Sequence, residues 1–83
     1  MLDTTNWASF PFTVKGVNFV SKFDTNGAFY PQVKRLSPEV FYSWHNDMIA
    51  ELIGDPSLMT RDELSAELDR VNLGANRAIV CLA

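Results

Sequence analysis

Between Val17 and Phe23 the chain alternates: Val17, Phe19 and Phe23 fall on one side, and Asn18, Val20 and Lys22 on the other. That period of two predicts a half-buried strand. Asp24-Thr25-Asn26-Gly27 follows as a turn, because Asn and Gly tolerate positive φ. The pattern then predicts a returning strand through Ala28, Phe29, Tyr30, Gln32 and Val33, with Pro31 marking an edge or a bulge. Phe10-Pro11-Phe12-Thr13-Val14 reads as a further short strand, and Lys15-Gly16 as a turn or bulge after it.

Beyond residue 36 the period changes to 3.6. Ser37 suits an N-cap and Pro38 a first helical position. Val40, Phe41, Trp44, Met48, Ile49 and Leu52 then form one apolar face, and Gly54 and Pro56 end the helix. Thr60-Arg61-Asp62-Glu63 is a capping box, with Met59 and Leu64 at the staple positions around it. Leu64, Leu68 and Val71 carry the second apolar stripe, and Asn72 to Gly74 stops it. The tail from Arg77 to Leu82 is apolar and short, the pattern of an interior strand buried on both faces. The expected architecture is α+β: a small, mostly antiparallel sheet, made of an N-terminal hairpin or meander plus a C-terminal strand, with two α-helices packed on one face. No repeat, low-complexity tract or linker divides the chain, so residues 1–83 read as a single domain.

Composition supports a folded core: 47% of the residues are hydrophobic and 20% charged, the reverse of a disordered chain. The single cysteine cannot close an intrachain disulfide, which points to a reducing cytosol, the host cell's if the chain is phage-encoded. The first residues lack the basic-then-apolar order of a signal peptide, no apolar run reaches the length of a membrane span, and Cys81 stands one place too late for a prenylation box. Charge is unevenly spread within a net −3. Residues 1–37 set Asp3 and Asp24 against Lys15, Lys22, Lys34 and Arg35, whereas the remainder sets eight acids against Arg61, Arg70 and Arg77.

Signatures of chemistry are weak. His45 is the only histidine; with Cys81 as nucleophile it would make a small enzyme, but Cys81 has no neighbouring cation to lower its pKa. The bland reading is a half-buried helical histidine and a small strand residue. Asp47 and Glu51, and Glu63 and Glu67, are paired at helical spacing, as solvated helix faces commonly are. The four glycines are scattered and cradle no phosphate, and no ligand spacing suggests a metal. No catalytic residue, cofactor site or metal site is therefore assigned. Gly27-Ala28-Phe29-Tyr30 with Lys34 and Arg35 matches an RNA-stacking strand only in part, and direct nucleic-acid binding is not expected of an acidic chain.

The aromatic surplus says more. Phe19 and Phe23, with Phe41 and Trp44, fill one face of a thin core. Trp7, Phe10, Phe12, Phe29 and Tyr30 need another place: a segment folded back over the core, or a surface for a partner. The acids Asp47, Glu51, Asp62, Glu63, Glu67 and Asp69 offer a second surface that steers encounter. The expectation is a non-enzymatic protein-binding module, an accessory or inhibitor acting as a monomer or homodimer on a larger host protein complex. The analogy is with small proteins of phages and mobile elements that block host defence, anti-CRISPR proteins among them. The alternative is a self-associating virion or assembly component that uses the hairpin edge.

Overall fold

Two strands and a two-residue turn begin the fold. The computed structural model describes residues 6–72 and 78–83. β1 (Trp7–Val14) pairs antiparallel with β2 (Val17–Asp24), and Val14 stands opposite Val17 across Lys15-Gly16. Both turn residues have positive φ, 51° and 80°, the combination whose twist matches that of paired strands. Gly16 supplies it without strain, and Lys15 is the one non-glycine residue with positive φ among those described.

The second expected hairpin does not form. Asp24 does start a turn: its carboxylate accepts from the Asn26 N–H at 2.9 Å and its carbonyl from the Gly27 N–H at 2.8 Å. The chain then enters a single helical turn, α1 (Tyr30–Val33), where a strand was expected through Ala28, Phe29, Tyr30, Gln32 and Val33. Pro31 lies in the first turn, where its missing N–H breaks no bond. A strand returning from Gly27 would need a free side of β2, and both sides are taken.

The occupant of the other side is β3 (Ala78–Leu82), antiparallel to β2, so the order is β1-β2-β3. The tail is therefore an edge strand, not the interior strand its apolarity suggested; β2 is the interior one. In register, Val80 lies opposite Ser21 and Cys81 opposite Val20. The backbone of Val80 points away from β2, and the side chain of Asn72 meets it there: Nδ2 donates to the Val80 carbonyl at 2.6 Å and Oδ1 accepts from the Val80 N–H at 3.1 Å. One amide thus stands in for a missing neighbouring strand.

The other edge is blunted differently. The two-residue turn makes Val14–Val17 a hydrogen-bonded pair, so alternate residues Ser9, Pro11 and Thr13 turn their backbone outward. Pro11 sits at a position whose N–H would face the open edge, which is why a proline is tolerated inside this strand and why the edge lacks a donor there.

Two longer helices complete the α+β fold: α2 (Pro38–Leu52) and α3 (Arg61–Asn72). Ser37 caps α2 by accepting from the Val40 N–H. A positive φ of 112° at Gly54 follows its end, and Asp55 then caps a short 3-10 turn, Pro56–Leu58. The expected capping box is present at α3: the Glu63 N–H donates to Thr60 Oγ1 at 3.1 Å, and the Thr60 N–H to Glu63 Oε1 at 2.8 Å. α3 ends at Asn72; the proposed stop at Gly74 and the start of the tail at Arg77 lie outside the described residues. The buried cluster joins Phe12, Val14, Phe19, Phe23 and Val80 of the sheet to Phe41 and Ile49 of α2 and Leu64 and Leu68 of α3.

Candidate functional site

α2 consists of rows four residues apart, each turned about 100° from the next. The row Phe41, His45, Ile49 is buried. Beside it runs Val40, Trp44, Met48, Leu52, of which Val40 is 52%, Trp44 38% and Leu52 45% exposed. Beside that runs Glu39, Ser43, Asp47, Glu51, exposed throughout. Expectation put both apolar rows into one buried face. The structure buries only one of them, because a helix against a sheet covers a limited arc, and the row that contains the histidine is the one that faces in.

His45 is 1% exposed, and each ring nitrogen has a partner. Nδ1 lies 3.0 Å from the Phe41 carbonyl, which can only accept, so Nδ1 carries the proton. Nε2 then accepts from the Ser21 hydroxyl, also at 3.0 Å. Phe41 stacks on the imidazole with ring centroids 4.0 Å apart, while Phe12 and Trp44 approach at 4.7 and 4.4 Å. Burial pushes the His45 pKa below its ordinary value, against a smaller upward influence of the Phe41 carbonyl.

A serine on the acceptor nitrogen of an oriented histidine is the pairing used in acyl transfer. Ser21 is itself 1% exposed and lies mid-strand, so its hydroxyl offers a substrate almost no surface. Its evident work is to join α2 to β2. Cys81 cannot take its place: Val80 lies opposite Ser21 on the histidine's side, and Cys81, the next residue, projects from the other face of the sheet. Among the described residues no group of three His, Cys, Asp or Glu side chains could hold a metal ion.

The other expected site residues separate into two sets. Phe12 is 2% exposed and stacks on Phe19, so it is core and not surface. Phe10 is half-buried between Phe23 and Phe41, with ring centroids 5.8 and 5.7 Å away. Both were expected to need a home outside the core; β1 supplies one by presenting alternate residues to it. Trp7 and Phe29 remain exposed, and Tyr30 is half-buried beneath the Lys34 ammonium. Of the acids, Glu63 serves the capping box and Glu67 pairs with Arg70 at 2.6 Å. Asp47, Glu51, Asp62 and Asp69 are exposed. Asp47 and Glu51 have no ion-pair partner among the described residues.

Ser21 was not singled out from the sequence, nor were Val40, Trp44, Met48 and Leu52 as a surface. For Ser21 the signal was faint: a hydroxyl in a run of alternating large residues, at a position that faces inward. For the α2 row there was a better one, two adjacent apolar rows on a single helix. No described helix is long and apolar enough to cross a membrane. Comparison with protein-family models, with curated proteins and with solved structures finds no match for this chain.

Proposed function

We propose that the chain is a protein-binding module, an accessory or inhibitor that acts on a larger protein complex and performs no chemistry of its own. The observation that carries this reading is the pairing on α2 of an apolar row, exposed at Val40, Trp44 and Leu52 and half-buried at Met48, with an exposed acidic row, Glu39, Asp47 and Glu51. Apolar anchors with a charged rim are the anatomy of a protein interface: the anchors hold and the rim steers. Phe29 and Leu58, 54% and 82% exposed, add apolar surface outside α2.

Two features support this reading over self-assembly through strand addition. β1 carries Pro11 at an outward-facing position, and the outward backbone of Val80 in β3 is already taken by Asn72. An inhibitor of the anti-defence kind, carried by a phage or mobile element, is one form such a module takes.

The test is capture from a host lysate by the full chain and by a Val40→Ser, Leu52→Ser variant. The expected result is one dominant partner at a fixed stoichiometry, lost by the variant while its circular dichroism is unchanged. Equal capture by both would remove α2 as the interface. A pure protein that forms large oligomers as concentration rises would favour the assembly reading.

A further inference from the structure

The apolar row of α2 does not end at the helix surface. Trp44 and Met48 also line a cavity of about 160 Å³, together with Ser21, His45, Val71, Ala78 and Ile79 among others. From Val40 to Leu52 the row covers about 18 Å, three turns and a little more. The rim is acidic. Glu39, Asp47 and Glu51 lie along it, and α2 contains no Lys or Arg. The cation at its C-terminal end, Arg70, is held by Glu67 and by the Leu52 carbonyl at 2.8 Å.

That charge selects among occupants. A second copy docked antiparallel through the same row would bring Asp47 and Glu51 against the acids of its twin, and like charges across an interface are unfavourable. An anionic membrane surface is repelled for the same reason. We propose that this helix face seats a basic amphipathic helix of the partner protein, its apolar residues at i, i+4 and i+7 on Val40, Trp44, Met48 and Leu52, and its Lys or Arg residues over Asp47 and Glu51. The inference rests on the protein-binding reading and adds the chemistry of the partner.

Two synthetic 14-residue peptides with identical leucine positions test it, one with lysine at every polar position and the other with glutamate. The reporter is the full chain carrying Trp7→Phe, in which Trp44 is the sole tryptophan. The lysine peptide should shift Trp44 emission saturably, and more weakly as salt is raised. Its affinity should fall at least tenfold when Asp47 and Glu51 are both replaced by lysine. The glutamate peptide should not bind over the same range. Should the double reversal fail to fold, Leu52→Ser is the second variant, with the same loss expected.

Equal binding of both peptides, or lysine-peptide binding that survives the charge reversal, overturns the proposal. So does a shift of Trp44 on neutral phosphatidylcholine vesicles without peptide, which would make the face a lipid-binding one. A wild-type dimer in sedimentation that Leu52→Ser dissociates would give the face to a second copy. If neither peptide binds while lysate capture still depends on Val40 and Leu52, the partner chemistry is wrong and protein binding stands; if both fail, both fall.

Discussion

α2 and α3 are neighbours of similar length held in opposite ways. α3 is secured by devices within its own sequence: the Thr60–Glu63 box at its start and the Glu67–Arg70 pair three residues apart. Its leucines are both buried, so it leaves no large apolar row in water. α2, beyond its local cap at Ser37, is secured by residues far away in sequence. Ser21 grips His45 across 24 positions, and rings from β1 and β2 close on Phe41, Trp44 and His45. Having buried one row, α2 still exposes another. The difference teaches that α3 spends its leucines on the fold, whereas α2 keeps an apolar row at the surface.

The sharpest way to break this comparison is to truncate within α2. Phe41→Ala should destabilise the domain by about 3–5 kcal/mol, as for buried aromatics generally. Val40→Ser, one residue earlier, should cost only about 0.5 kcal/mol, as exposed substitutions do. Denaturant midpoints measure both, and similar losses would mean that the two rows are not distinct.

Next in size is Asn72→Ala, which leaves the Val80 N–H and carbonyl without their side-chain partner. A loss of about 2 kcal/mol is expected, with faster amide exchange at Val80. An unchanged exchange rate there would show that α3 does not guard the β3 edge.

A pH titration examines the long-range grip on α2. His45 is neutral in the fold and its pKa is lowered by burial, whereas in the unfolded chain it titrates near its ordinary value of 6.5. Above that value neither state takes the proton and His45 makes no contribution to the slope. Below it the unfolded chain binds a proton that the fold refuses, so stability falls as pH falls, until the folded-state pKa is reached. The slope from this group is at most about 1.4 kcal/mol per pH unit. His45→Gln should remove that component of the pH dependence. A wild-type profile indistinguishable from the variant's would mean that His45 is not held neutral.

The smallest effect belongs to the local device. Thr60→Ala removes half of the capping box and should cost about 1 kcal/mol. An unchanged melt would place the start of α3 elsewhere.

What could be read from the sequence tracks the same division. The box at Thr60, the cap at Ser37, the stop at Gly54 and the turn at Lys15-Gly16 depend on residues within four positions of one another, and all are where local chemistry puts them. The strand expected through Tyr30 and the interior place given to the tail were misread, since both depend on which strands flank β2. The candidate site was legible in part. Asp47 and Glu51 lie on the exposed face, but Phe12 is core, and Val40, Trp44 and Leu52 had been assigned to the interior.

Periodicity and local capping signals determined that residues 17–23 make a strand, that two capped helices follow, and that the fold is α+β. Only the tertiary structure decided that β2 lies between the other two strands, that a side-chain amide completes the edge of β3, and that His45 turns inward. The reason is physical. Caps and turns satisfy backbone groups within a few residues, so their free energy is written locally. Which of two apolar rows is buried depends on the shape and hydrogen-bonding groups of the surface it meets. Here the Ser21 hydroxyl and the rings of Phe12 and Phe41 made the histidine row the one that fits, and left the tryptophan row outside.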